Sequence, residues 1–496
     1  MQGYLGGRML ASGFAFWITV SISAGAQAQP GAPAEAFAAA TADGAYTFFT
    51  DPRAIDYKGA HDKTYLGFLD KVGSDRVWSL DHVTGKVDTF TLHVKLQQDD
   101  HDNPALYLRK DGRLTAYYQR HGTDKFVFHR TTSKPEDISA WDAEDTIRMT
   151  EGVTYCHPFR LDGEGAAGRL YIFNRSVGWH PTLMYSDDEG KTFSTPVKLI
   201  AGPGERPYVK YVSDGASAIH IAFTDGHPRN EAENSIHYMR YSKGAFYKAD
   251  GTLIRKLADL AAKPIEPSEA DLVYDGKTAG RAWIWDIALD AKGQPTLVHS
   301  VIPTETDHRY YYARWNGKAW EDALLTKAGK WFPQTPAGTV EPEPQYSGGI
   351  ILDPVDPSIV YLSKPAASGI FEIEKWTTPD AGKSWSSKNI TAGSAKGNAR
   401  PILPHPALGQ RPSHRMLFWM SGDYTYYKDY ATGIRYYAWN DPVDAVVPHA
   451  LRGAAGREAT RATRHRDARG RSAPAEDFTS VGAGAAIPFP DRLPGL

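Results

Sequence analysis

Between Tyr46 and Asn440 the chain never sustains a helical period, and that limits its fold more than any other feature. Short runs of aliphatic and aromatic residues recur instead: Ala105-Leu108, Leu114-Tyr118, Arg169-Phe173, Thr182-Tyr185, Ala218-Phe223, Ile236-Tyr241 and Thr296-Val301. The segments between them are rich in Asp, Gly and Asn, the residues that close turns. Such strands must bury their apolar sides against one another, so an all-β fold is expected. One segment, Leu253-Ala262, has enough helical character to be predicted as a short helix.

Two turns share a pattern. Ser186-Asp187-Asp188-Glu189-Gly190-Lys191-Thr192-Phe193 and Thr378-Pro379-Asp380-Ala381-Gly382-Lys383-Ser384-Trp385 both read hydroxyl-x-Asp-x-Gly-x-hydroxyl-aromatic. The Asp can accept from turn amides, the Gly can take positive φ, and the aromatic can anchor the turn. Looser versions occur at Trp315-Trp320 and Asp290-Gly293. The pattern resembles the Asp-box of sialidase-type β-propellers, which implies radially repeated small sheets. About 400 residues, from 45 to 443, give seven blades about 57 residues each, against roughly 40–50 for a compact blade. Six longer or eight shorter blades remain open. Closed radial packing also suits a chain whose only cysteine is Cys156, since it leaves only short, protected strand edges.

The 496 residues carry 56 basic and 58 acidic side chains, a net charge of -2. That balance gives no overall attraction to nucleic acid or acidic lipid. One cysteine excludes an intrachain disulfide framework and a thiolate metal cluster. Residues 1–28 read as an export signal, with Arg8, the mostly apolar Met9-Ile22 and the small-x-small site Ala26-Gln27-Ala28, so a periplasmic or secreted protein is expected. Residues 29–44 read as an Ala/Pro-rich leader. Residues 444–496 crowd Arg452, Arg457, Arg461, Arg464, Arg466, Arg469 and Arg471 among few large apolar side chains, a composition expected to stay flexible. No later segment is apolar and long enough to be a membrane span.

The polar residues expected to carry chemistry are His, Tyr and Arg rather than paired acids. His101 follows Gln97-Gln98-Asp99-Asp100, and His121 ends Tyr117-Tyr118-Gln119-Arg120-His121. Tyr155, Arg175, Arg206, Tyr208 and Lys210 follow, then Thr224-Asp225-Gly226-His227-Pro228. Glycoside hydrolysis usually needs two carboxyl groups about 5–9 Å apart, and none stands out. A His/Tyr/Arg set suits β-elimination from a uronate. Arg or protonated His neutralises the carboxylate as the C5 proton leaves, and His or Tyr moves the proton.

The segments Asp99-Leu106, Tyr117-His121, Arg206-Tyr211 and Thr224-Pro228 resemble the BNR-type propellers that include ulvan lyases and rhamnosyl-glucuronate lyases. The resemblance spans nearly all of residues 45–440. It implies a seven-bladed propeller that cleaves the bond at C4 of a glucuronate or iduronate by β-elimination, in a rhamnose-containing acidic polysaccharide such as ulvan. It implies His101 as the catalytic histidine of a His-x-Asn-x-Ala-Leu setting, with His121 as the second. Tyr155 and Tyr208 flank the substrate, with base and acid unassigned between them. Arg175 neutralises the carboxylate, with Arg206 the alternative; Asn103 and Lys210 bind substrate. No cofactor is required for elimination. Relatives with a divalent cation make Asp225, His227 and His237 a candidate zinc or calcium site, although Asp-Gly-His-Pro is equally a good turn. The expected partner is an anionic uronate polysaccharide bound by a monomer, with no nucleic acid. Two rival readings are a non-catalytic glycan-binding propeller and a sialidase-like exo-hydrolase.

Overall fold

The computed structural model describes residues 31–440 apart from 203–205, 333–334, 336–337, 408–409 and 413. The segments read as an export signal and as an Arg-rich tail lie outside the described residues.

The described chain forms seven antiparallel sheets, the blades of a seven-bladed β-propeller. Blade 1 holds Ala54–Lys58, Asp62–Leu69, Asp75–Asp81 and Val87–His93. Blade 2 holds Ala105–Leu108, Leu114–Gln119, Phe126–Lys134 and Asp145–Arg148, with Asp137–Trp141 paired beside the third. Blade 3 holds Thr154–Leu161, Arg169–Arg175, Pro181–Ser186 and the two-residue Val197–Lys198. Blade 4 starts with Val209–Ser213, Ala218–Thr224 and Ile236–Ser242, and blade 5 runs from Arg281–Leu289 to Trp320–Gly329. Blade 6 begins at Ile350–Leu352, and blade 7 contains Asn398–Ile402, His414–Tyr426 and Asp429–Asn440. All seven strand-like runs read from the sequence fall within strands.

The ring closes through its ends. Ala38–Thr41, inside the stretch read as a leader, forms the outer strand of blade 7, with Ala38 opposite Tyr436 and Thr41 opposite Ile434. His405–Pro406 adds a parallel pair to the first strand of blade 1, with Ile55 opposite His405. The expected helix at 253–262 is instead the strand Leu253–Lys256 followed by one 3-10 turn at Leu257–Asp259. Its backbone pairs with Ala245–Tyr247, and Leu257 N–H donates to the Gly244 carbonyl at 2.8 Å, so sheet pairing overrides helix propensity. Among the described residues no helix is long and apolar enough to cross a membrane.

Large aromatics fill the space between blades; Trp78, Trp283, Trp285 and Trp419 are fully buried. Because strands alternate in direction, links into each first strand and links from second to third strand gather on one face, called upper here. The two patterned turns join third and fourth strands on the lower face. In blade 3, Asp188 accepts from Thr192 N (2.9 Å) and Thr192 Oγ1 (2.6 Å), while Ser186 Oγ accepts from Gly190 N (2.8 Å). Blade 6 repeats this through Asp380 with Ser384 N (2.7 Å) and Oγ (2.6 Å), and Thr378 with Gly382 N (2.7 Å).

Gly382 and Gly317 share φ of +96°, but a β-carbon at Gly382 would meet Tyr312 at 2.8 Å whereas one at Gly317 meets nothing within 4 Å. Gly317→Ala is expected to cost about 1 kcal/mol from backbone strain alone. Gly382→Ala is expected to cost about 1–3 kcal/mol more through overlap in a packed site. Denaturant unfolding of both variants checks the difference; equal losses would contradict it.

Candidate functional site

The upper face converges on a buried acid. Asp99 lies in the link from blade 1 to blade 2, is wholly buried, and carries a histidine on each oxygen. His101 Nδ1 lies 2.7 Å from Oδ1, and His121 Nδ1 lies 2.9 Å from Oδ2. His101 comes from the same link, which the Asp99 side chain folds back by accepting from His101 N at 3.1 Å. His121 follows the second strand of blade 2, and its N–H donates to Gln97 Oε1 at 2.8 Å. These bonds stack the two imidazoles at 4.2 Å with planes 14° apart.

The stacked rings differ in protonation. Burial would lower the His101 pKa, but the carboxylates of Asp99 and Asp100 outweigh it and push it up to about 10. Asp100 Oδ1 lies 3.1 Å from His101 Nδ1, while its other oxygen is held by Arg400 and Tyr424. Burial and the His101 cation push His121 down to about 4 despite its bond to Asp99. His121 therefore donates through Nδ1 and keeps a lone pair on Nε2, which accepts from Arg175 Nη2 at 3.2 Å. Burial would raise Asp99, yet the His101 cation and both histidine hydrogen bonds hold it below the usual carboxylate range.

Arg175 ends the second strand of blade 3 and is buried. Its guanidinium carbon sits 4.9 Å from the Tyr155 ring centre, 5.3 Å from that of Tyr208 and 4.5 Å from that of Trp179. Among the described residues, its Nε and Nη1 are buried without a hydrogen-bond partner, and so is the Tyr155 hydroxyl. Tyr155 occupies left-handed backbone (φ +62°) at a bulge between Thr154 and His157, which turns its side chain into the centre 5.7 Å from His101. Tyr208 enters the first strand of blade 4, 6.2 Å from Tyr155 ring to ring. The tyrosines shift in opposite directions. Burial and the neighbouring Tyr208 raise Tyr155; burial alone would raise Tyr208, but Arg175 and Arg206 prevail and lower it.

The sequence-predicted set thus divides. His101, His121, Tyr155, Arg175, Arg206 and Tyr208 come together. Asn103 is buried, with Oδ1 accepting from Thr47 N at 2.9 Å, and supports the loop instead of facing the pocket. Lys210 lies beneath the pocket on the propeller axis, 1% exposed, ion-paired with Asp51 and donating to the Phe48 carbonyl at 2.7 Å. Asp225 and His237 do meet, Oδ1 to Nε2, at 2.7 Å. His227 turns elsewhere: its Nδ1 accepts from Arg229 N at 3.0 Å, and its ring packs 5.2 Å from Tyr208 and 4.9 Å from Trp283. The group of three metal-ligating side chains close enough for one ion, among the described residues, is Asp99, His101 and His121, whose ligand atoms lie within 4.8 Å of one another. Those residues could hold a metal ion, although both histidine Nδ1 atoms already bond Asp99 and Arg175 lies against His121.

Sequence reading missed the supports from blade 7. Arg400, also left-handed (φ +52°) near the start of its strand, anchors Asp100 beside Tyr424. Tyr427 closes over both histidines, 5.0 Å from His101 and 5.8 Å from His121. Only the acids Asp99 and Asp100 beside His101 gave a local signal.

The BNR repeat-containing family profile matches residues 63–328, more than half of the chain. The chain belongs to the BNR repeat-containing family. A PL25 ulvan lyase structure superposes with a TM-score of 0.58 at 17% identity, covering 79% of this chain and 94% of its own. The same kind of enzyme bound to -[GlcA(1-4)Rha3S]- gives 0.59 at 16% identity, covering 82% and 95%. The lectin BP39L from Burkholderia pseudomallei gives 0.42 at 10% identity, covering 82% and 99%. No curated protein sequence matches the chain. At these identities the structural likeness establishes the propeller fold of this BNR-family member.

The raised His101 pKa has a thermodynamic consequence. A pKa near 10 in the folded chain, against 6.5 for the free group, stabilises the fold fully below pH 6.5 and loses that contribution as pH rises towards 10. Asp99→Asn removes the main carboxylate, so the alkaline fall in melting temperature between those limits is expected to flatten relative to the parent. Parallel curves would contradict the role given to Asp99.

Proposed function

We propose that this protein is a polysaccharide lyase that cleaves the bond at C4 of a glucuronate or iduronate residue in an acidic, rhamnose-containing polysaccharide such as ulvan. The observation that carries the reading is the oppositely shifted tyrosine pair around an arginine with unpartnered donors. The Arg175 Nε and Nη1 groups suit a uronate carboxylate, which accepts a two-pronged hydrogen bond. The His101 cation supplies a second positive charge where negative charge develops as the C5–H bond breaks. Tyr208, lowered by its arginines, serves as the base that takes the C5 proton. The C–H electrons form the C4=C5 bond, the C4–O bond breaks, and Tyr155, kept protonated, gives its proton to the departing oxygen. The product is a 4,5-unsaturated uronate, and no redox step is involved. His121 positions Arg175 through its Nε2 lone pair.

The common retaining and inverting glycosidases need two carboxyl groups that reach the sugar, whereas a sialidase uses a tyrosine nucleophile. Asp99 and Asp100, the acids beside the histidines, are fully buried and committed to His101, His121, Arg400 and Tyr424. A binding-only propeller leaves the opposite shifts of the two tyrosines without a use. The export signal read at residues 1–28 supports a periplasmic or secreted enzyme, where such polymers are met, and the proposed enzyme is a monomer.

Incubation with glucuronate-containing polysaccharides is expected to raise the ultraviolet absorbance of the conjugated double bond; reducing ends without that absorbance would mark a hydrolase, and neither would mark a binder. His101→Ala is expected to lower kcat/KM about a hundredfold or more with the fold intact, and full activity would remove His101 from the reaction. The pH–rate profile is expected to rise as Tyr208 loses its proton and to fall as His101 loses its own near pH 10. Tyr208→Phe should abolish the chemistry along with the rising limb; a preserved limb in a still active variant would assign the base elsewhere.

A further inference from the structure

A second cavity lies on the propeller's flank. It occupies about 620 Å³ between blades 2 and 3, towards the lower face. Its existence follows from the short outer strand of blade 3. Val197–Lys198 pairs only with Thr182 and Leu183, so blade 3 does not cover the neighbouring sheet of blade 2 out to its edge. Where blade 3 does cover that sheet, the contact is apolar, through Val127, Met149, Leu170 and Ile172. Where it does not, blade 2 leaves His129 and Thr131 half-buried at the cavity, with Tyr117 and Thr115 opposite them in register and buried beneath. The patterned turn of blade 3, from Glu189 to Phe193, forms the opposite wall.

We infer that this groove is a second carbohydrate-binding site, separate from the upper pocket, for an acidic oligosaccharide segment. The volume falls in the range of small-ligand pockets, roughly 300–1,000 Å³. The lining is not that of an apolar ligand. Thr115 and Thr131 hydroxyls pair at 2.9 Å on its floor, and the half-buried His129 ring lies 5.6 Å from the buried Tyr117 ring, giving a hydroxyl partner beside one accessible ring. The Tyr117 hydroxyl makes no hydrogen bond to a described residue and lies 3.2 Å from where a β-carbon on Gly190 would stand, so a side chain there would crowd it.

Charge selects the ligand's sign. Glu189 at the rim is neutralised by Arg160, and Arg109 holds the Glu189 carbonyl at 3.0 Å. Asp142 is matched by Arg113 at 3.8 Å. What remains is two exposed cations, Arg148 and Lys191, one from each wall, neither with a carboxylate within ion-pair distance among the described residues, against one exposed acid, Asp145. Burial holds His129 below its ordinary value, so it adds no charge near neutrality. Two unmatched cations across a hydroxyl-lined floor suit carboxylate or sulfate groups on a sugar chain, with Asp145 able to accept from its hydroxyls. Such a site would hold the polymer to the enzyme between cleavages. The choice of glycan rests on the lyase reading, while the site itself does not.

The test uses affinity electrophoresis of the full chain carrying His101→Ala in gels containing ulvan, so that nothing is cleaved. Adding Arg148→Glu with Lys191→Glu is expected to weaken retardation at least about tenfold. A control pair with the same charge change on another blade, Lys383→Glu with Lys388→Glu, is expected to leave it unchanged; both are exposed. With His101 restored, the groove variant should cleave a short glucuronate oligosaccharide at the parent rate. Retention equal to the single variant, equal loss in the control pair, or no retardation of the His101→Ala protein would each overturn the groove. Absence of the double-bond absorbance in the parent would instead count against the lyase reading, and the gel result would stand by itself.

Discussion

The two histidines share one buried carboxylate, and the rest of the site follows from that sharing. Asp99 is wholly buried and bonded to a ring nitrogen on each oxygen. Two imidazolium rings stacked at 4.2 Å would repel strongly in a low-dielectric setting, so one proton is retained and the other excluded. Asp100 decides which, because it adds a second carboxylate beside His101 alone. The charged ring then faces the pocket as a fixed cation, and the neutral ring offers Nε2 to Arg175. Arg175, so placed, lowers Tyr208. A chain of ordinary interactions thus links the shifts of both histidines and of Tyr208 to one pair of adjacent acids.

The propeller supplies the rigidity that this arrangement needs. Blades 2, 3, 4 and 7 each contribute a residue to the centre from a first-strand entry or a second-to-third-strand link. Tyr155 and Arg400 use the same device, a left-handed residue near the start of a first strand. Each costs backbone strain of about 1–2 kcal/mol that the paired strands on either side hold in place. Tyr155 is thereby aimed at the substrate, and Arg400 at the acid that charges His101.

Strands were legible because short aliphatic and aromatic runs and Asp/Gly turns are local signals, and both patterned turns fold alike for the same reason. The stretch at 253–262 misled because its partner, Ala245–Tyr247, is invisible to a helical-propensity reading. His101 and His121 were legible as a motif. Lys210 was not correctly placed, since it shares a strand side with Tyr208 but stands two residues, roughly 6–7 Å, further along the axis. That distance takes it from the pocket to Asp51. His227 and His237 belong to the two ends of a hairpin link, and only His237 points back to Asp225. Arg400, Tyr424 and Tyr427 carried no signal at all, because they reach the centre only when the ring closes and brings blade 7 beside blade 1 and the link that carries Asp100 and His101.

The central claim is that the arginines around Tyr208 make it the ionisable tyrosine of the pair. Ultraviolet difference titration of tyrosinate on the full chain tests this most directly. The parent and Tyr155→Phe are expected to show one tyrosine ionising below the ordinary tyrosine range, and Tyr208→Phe to lack it. An early ionisation that survives in Tyr208→Phe, or its absence from the parent, would contradict the account.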